Sequence, residues 1–216
     1  MNFWKYRFLL SNLIGRDLKV KYRRSKLGVM WSVLNPLLMM LVMTAVFSKF
    51  FRMNIPNYPV YLLSGNLLFT FFNESTSSAM ASVLYSASLI KKVYVPKYMF
   101  VLSRVFSSVI NLMASFAALI IVMIVTRAEL HWTVLLSFIP IILVVLLSLG
   151  IGLILSAITV KFRDVMHLYS VLMTVLLYLT PVIYPMSILP EWLKRLVMFN
   201  PLTNIIVMFR DLMLYN

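Results

Sequence analysis

The sequence predicts an all-α, polytopic membrane helical bundle, and three observations lead there. Of the 216 residues, 62% are hydrophobic and 12% are charged, with a mean hydropathy of +0.94. Soluble domains run nearer to about half apolar and about a quarter charged. A chain of this size keeps much of its surface exposed, so the surplus apolar residues need lipid as their solvent. Long apolar stretches also recur along the chain, separated by basic segments, at lengths suited to crossing a bilayer as helices. Finally, the net charge of +14, from 20 Lys and Arg against 6 Asp and Glu, falls between those stretches. That is the pattern that orients membrane helices rather than a nucleic-acid footprint, so no nucleic-acid partner is expected. With no cysteine, disulfides and thiolate metal sites are excluded.

The first 26 residues carry eight basic side chains: Lys5, Arg7, Arg16, Lys19, Lys21, Arg23, Arg24 and Lys26. Phe3, Trp4, Phe8, Leu9, Leu13, Ile14 and Leu18 recur at roughly helical spacing, which predicts a basic amphipathic helix lying in the membrane interface. Charges at 16, 17, 19 and 21, and the lack of a small-residue cleavage site, argue against a removable signal peptide.

Five crossings follow, expected at about 33–50, 60–85, 105–126, 134–159 and 165–184. The second carries an unbroken polar run from Asn73 to Ser78, which must face other helices or a wet path rather than lipid. Gly150 and Gly152 in the fourth allow close helix approach. Beyond 184 the prolines at 185, 190 and 201 leave room for two short helices, at 191–199 and 203–215. No internal repeat or low-complexity linker divides the chain, so 1–216 is one domain: interfacial helix and linker over 1–32, spans over 33–184, and a short-helix tail over 185–216.

Counting charges orients the bundle. With the N-terminus in the cytoplasm, the inside segments hold the eight residues named above and then Lys91, Lys92, Lys97, Arg104, Lys161 and Arg163. The outside holds six: Lys49, Arg52, Arg127, Lys194, Arg195 and Arg210. The asymmetry favours a cytoplasmic N-terminus.

Convergent catalytic groups are scarce. His131 and His167, the two histidines, fall on opposite sides of the expected bilayer, so no metal site is expected. There is no glycine-rich phosphate loop, and carboxylates are too few for a general acid/base pair, so the chain is not read as an enzyme. Glu74 is a carboxylate between apolar flanks. It belongs either to a substrate path or switch, or to a helix–helix hydrogen bond with nearby serines or with Asn111. A proton-coupled transporter would show further buried carboxylates and repeated halves, which are not found. Tyr169, Tyr178 and Tyr184 fit either stacking along a sugar path or, more often for such residues, an interfacial belt or helix packing. The loop over 86–104 joins Lys91 and Lys92 to an apolar face of Leu89, Ile90, Val93 and Val95. That combination suits either anionic headgroups or a docking partner.

Four stretches, in order, resemble a known family. They are DLKVKYRRSKLGVMWSVLNPLL (17–38), FFNESTSS (71–78), LIKKVYVPK (89–97), and a tail over 181–203 that reads PVIYP, then LP followed by Trp192, then NPLT. Together they resemble the permease subunits of bacterial ATP-binding-cassette exporters of O-antigen, capsule or teichoic-acid chains. The resemblance implies a homodimer of the permease, with a lipid-linked polymer threaded between the copies and ATP and Mg handled by a partner ATPase subunit. It implies an N-terminal helix that contacts the ATPase, and a coupling loop docked in it through Lys91, Lys92, Val93, Pro96 and Lys97. It implies outer gating helices over 185–216, with Pro181, Pro185, Pro190, Asn200 and Pro201 forming the outer gate. Such permeases have a sixth crossing and a basic cytoplasmic tail, which would lie beyond Asn216. A permease for drugs or small lipids, and a non-transporting membrane scaffold, remain alternatives.

Overall fold

A computed structural model describes residues 6–23, 25–50, 55, 57–92, 94–128 and 132–215, without the side chains of 22, 29, 47–50 and 215. Phe3, Trp4, Lys5, Arg24, Arg52, Val93 and His131, and the side chain of Lys49, lie outside the described residues. Among the described residues every regular element is helical: α1 (Arg7–Tyr22), α2 (Trp31–Phe50), α3 (Tyr58–Tyr85), α4 (Ala87–Ile90), α5 (Tyr98–Val125), α6 (Phe138–Lys161), α7 (Val165–Leu179), α8 (Glu191–Met198) and α9 (Pro201–Arg210). A wider π-helical turn, Asp211–Tyr215, follows α9.

The bundle is built around α3, which packs against α2, α5, α6, α7 and α9. Of its 28 residues 17 are buried, so it presents little surface to lipid and tolerates a polar middle. Ser75, Thr76, Ser78 and Ser82 donate back to carbonyls of their own helix, which satisfies the hydroxyls where the helices touch. The helix α6 is its opposite. It buries one stripe, Pro140, Val144, Ser148, Gly152, Ser156 and Thr159, at a spacing of three to four residues, and turns Ile142, Leu146, Ile154 and Ile158 outward. The stripe is small so that α6 can lie close on α3, where a Cβ at Gly152 would come within 2.8 Å of Ala79 Cβ. Gly150 does not share this role, since a Cβ there meets nothing within 4 Å.

Among the described residues, two helical stretches suffice by length and composition to cross a membrane: Tyr98–Val125 and Trp132–Lys161, at mean hydropathies of 2.5 and 3.0. A third qualifies if α8 and the run Pro201–Leu214, bent by 97°, count as one broken span. Every segment expected as a crossing is helical, but α2 and α7 are shorter apolar helices, and α3 depends on its neighbours to shield its polar groups.

The fifth segment ends at Leu179 rather than 184. Pro181 holds the preceding residue, Thr180, in an extended conformation (ψ 135°), which stops the helix. The tail also departs from the expected bounds, because Pro201 takes the first helical position and so starts α9 two residues early. Asn200 caps that helix, its Oδ1 accepting from Leu202 N at 3.0 Å. Asn200→Ala is expected to cost about 1 kcal/mol, read as a lower melting midpoint in detergent.

The helix α1 buries Leu10, Leu13 and Asp17, at i, i+3 and i+7, against α5. Asp17 is anchored there by Arg16 (3.1 Å) and by Arg104 of α5 (3.4 Å). At the opposite end of the bundle, Asn57 Nδ2 donates to Thr126 Oγ1 at 2.8 Å.

Candidate functional site

Between α2, α3, α5 and the end of α1 lies a cavity of about 610 Å³. Its α3 wall is one helical face, Asn66, Thr70 and Glu74, spaced four apart. Asn111 and Ser115 of α5 oppose that face, Trp31, Ser32, Asn35 and Pro36 of α2 form another side, and Lys21 of α1 stands beside Glu74. The polar run of α3 therefore serves both of the surroundings it allows. Ser75 and Thr76 face helices, while Glu74 faces the cavity.

Glu74 has two partners. Lys21 Nζ forms an ion pair with its Oε1, and Asn111 Nδ2 donates to the same oxygen at 3.2 Å. The Asn111 bond is the helix–helix alternative for this residue; the lysine adds a tie from α1. Pro36 contributes by what it lacks. Without an N–H it leaves the Ser32 carbonyl without its usual helical donor, and the Ser115 hydroxyl reaches that oxygen at 3.5 Å.

Tyr169 and Tyr178 are not brought together. Tyr169 is buried, its hydroxyl donating to Thr76 Oγ1 at 2.6 Å as a packing bond between α7 and α3. Tyr178 is exposed on α7, and neither tyrosine is among the cavity-lining residues. The Tyr184 hydroxyl reaches back to donate to Tyr178 O and Leu179 O, closing the end of α7.

In the loop between α3 and α5, α4 is followed by a turn at Lys91 and Lys92, and Lys97 precedes α5. Leu89, Ile90 and Val95 pack with Leu13 of α1 and with Met99 and Phe100 of α5. This part of the apolar face, read from sequence as facing either headgroups or a docking partner, is used internally to hold the loop on α1. Lys91, Lys92 and Lys97 point outward, Pro96 is half-buried, and Tyr94 is 95% exposed.

At the other end, Pro181 is buried, Pro185 introduces the turn Met186–Ile188, and Pro190 immediately precedes α8. Asn200 and Pro201 cap and start α9. The five residues expected at an outer gate thus mark the breaks of one zigzag segment.

Over residues 9–214 the chain matches the sequence pattern of the family described as ABC-2 type transporter. The chain belongs to the ABC-2 transporter membrane family. Its relatives include the O-antigen export system permease protein RfbA of Klebsiella pneumoniae, 31% identical over 94% of this chain and 79% of the relative. RfbA of Myxococcus xanthus is 32% identical over 96% of this chain and 80% of its own length. The capsule polysaccharide export inner-membrane protein CtrC of Neisseria meningitidis is 26% identical, with coverages of 94% and 77%.

Sequence reasoning found Glu74 in this ABC-2 chain but missed Lys21 and Trp31, which the fold carries to the same cavity from positions read only as interfacial charge and linker. It also counted Arg210 as one more outside cation, although the side chain is buried.

Proposed function

We propose that this chain is the permease subunit of an ATP-binding-cassette exporter that moves a lipid-linked polysaccharide across the bacterial inner membrane, with its N-terminus in the cytoplasm. The supporting observation is the cavity. It sets amides, hydroxyls, an indole and one ion pair beside the apolar side chains of Pro36, Met39 and Leu67, among helices whose outer faces are apolar. The polar groups gathered there cannot be left to lipid. A second copy covers them and turns two half-cavities into one path, whose hydrogen-bonding groups suit the hydroxyls of sugars. The export functions named for the relatives agree with this substrate class.

The lysine-bearing loop and α1 sit together at one end of the molecule, and there the partner ATPase docks. Lys91, Lys92 and Lys97 supply charge and Tyr94 an aromatic anchor, with Val93 and Pro96 between them. ATP and Mg belong to that partner. Pro181, Pro185, Pro190, Asn200 and Pro201 shape the outer gate, and Glu74 with Lys21 forms a switch beside the path. Tyr178, exposed on α7, is the better placed of the two tyrosines to meet a passing chain.

The test is recovery of the ATPase with the affinity-purified permease from membranes in mild detergent. Lys92→Glu is expected to reduce that recovery about tenfold or more, as for reversal of a charge inside an interface. Restoration of polymer export to a permease-deletion strain by the wild-type gene separates this reading from a drug or small-lipid exporter. A chain that purifies intact with no ATPase and restores no export would be a scaffold instead.

A further inference from the structure

At the end of α7 the chain turns sharply, and four successive carbonyl oxygens, those of Pro181, Val182, Ile183 and Tyr184, accept hydrogen bonds from side chains of other elements. Arg210 Nη1 donates to Pro181 O at 2.5 Å and Arg210 Nη2 to Val182 O at 2.6 Å. The Tyr58 hydroxyl donates to Ile183 O at 3.2 Å and the Tyr61 hydroxyl to Tyr184 O at 3.0 Å. Two tyrosines of α3 and the last residue of α9 therefore hold the whole reversal. Carbonyls inside an apolar bundle need partners of this kind, because no water is at hand to replace them.

Arg210 is the centre of the arrangement. It is 3% exposed. Its guanidinium lies 3.6 Å from the centroid of the Tyr61 ring and also donates to the Tyr61 hydroxyl (2.7 Å) and carbonyl (3.2 Å). Only a planar fork can serve two consecutive carbonyls and a ring together, so lysine is no substitute. Gly65 makes the space, since a Cβ there would overlap Arg210 Nη2 and stand 3.2 Å from Val182 O.

We propose that Arg210, seated in the space left by Gly65, is a positioning residue for export that latches the 181–184 reversal to α3, so that the outer gate opens only when the guanidinium leaves its seat. The proposal rests on the outer-gate reading of this tail. Nη1 and Nη2 each reach two acceptors, so leaving the seat breaks several charged hydrogen bonds at once and is costly. The latched segment is short and bounded by Pro181 and Pro185, so a change at its base is passed through the turn Met186–Ile188 to α8.

The chain has no cysteine, so a single introduced thiol reports its own surroundings. Thr180→Cys places the reporter at the buried base of the reversal, and Ser187→Cys places a gate probe at an exposed position. Both are made in the complete exporter, in membranes, and treated from outside with a membrane-impermeant maleimide. With Arg210 intact, the thiol of the Thr180→Cys variant is expected to label slowly at rest and faster during ATP hydrolysis. Arg210→Gln is expected to raise the resting rate about tenfold, on the scale of losing a buried charged hydrogen bond, and to remove the ATP dependence. Export should fall by a similar factor at unchanged protein level. Tyr61→Phe, which keeps the ring and loses one hydroxyl, should shift the same rates by a few-fold and carries the test if Arg210→Gln does not accumulate. Unchanged labelling in these variants, while a bulky maleimide on the Ser187→Cys thiol still blocks export, overturns the latch and leaves the gate standing. If blocking that second thiol leaves export intact, the gate reading falls, and Arg210 is then a packing residue.

Discussion

Lys21→Glu is expected to reduce polymer export about tenfold or more, Glu74→Lys to do the same, and the double reversal Lys21→Glu with Glu74→Lys to recover most of it. The ion pair joins α1 to the central helix α3 beside the cavity. Its side chains are 44% and 38% exposed, so the pair contributes little to stability, about 1 kcal/mol or less. The single variants should therefore accumulate normally. Their defect arises because two like charges meet beside Asn111 and push α1 off the cavity, where the pair had drawn it in. Measuring export in the deletion strain for all four combinations forms a double-mutant cycle. Recovery in the swapped variant identifies pairing as the role of Glu74, and so the switch. If the swapped variant stays dead while Lys21→Met exports normally, the carboxylate itself is needed by the passing chain, and the switch is refuted.

Gly152→Leu is expected to cause the largest loss of stability of any single change in the apolar helices. Even the first atom of a side chain would stand 2.8 Å from Ala79 Cβ, and the flanking Ser148 and Ser156 offer no slack because they are buried on the same stripe. Leucine must lever α6 away from α3 along the stripe. Overpacking of this kind costs about 1–3 kcal/mol where the core can give, and more where two helix backbones oppose each other. The melting midpoint in detergent should fall by several degrees, and the protein should aggregate during extraction. Gly150→Ala, two residues away with open space around its Cβ, should instead be neutral or stabilising by up to about 1 kcal/mol from helix propensity. A gentler pair completes the test. Gly152→Ala should destabilise, and Ala79→Gly in the same chain should restore the midpoint. Equal effects at 150 and 152 would refute the close α3–α6 approach.

How much of this was legible in the sequence depended on the range of the interaction. The helices α5 and α6 could be read from apolarity alone, because lipid exposure demands it over their whole length. The prolines at 181, 185, 190 and 201 set the breaks in the tail through local sterics, although α7 ended at Leu179, short of the 184 that hydropathy suggested. The polar run of α3 announced that it would be shielded. Which helices would do so, and that Asn66, Thr70 and Glu74 would share a cavity while Ser75 and Thr76 would not, required the packing. The loop at 89–97 showed its lysines plainly. That Leu89, Ile90 and Val95 are used to hold α1 was hidden, since an apolar face looks the same whether its partner is this chain or another. Arg210 was the least visible. An arginine near the end of a chain reads as interface charge, and its partners Tyr61 and Gly65 lie about 150 positions earlier, beyond any local pattern.

The enclosed character of α3 also bears on how the molecule is made. A helix that carries Asn66, Thr70, Asn73 and Glu74 gains little from entering lipid by itself, because each such group is penalised when it leaves the translocon without a partner. The ribosome finishes α3 before it has made α5 or α6, the two helices that shield most of its length. Insertion of α3 is thus a joint event, in which the segment waits at the translocon, or returns to it, until its neighbours arrive. A nascent chain stalled after residue 90 should leave α3 extractable by alkali, and one stalled after α6 should not.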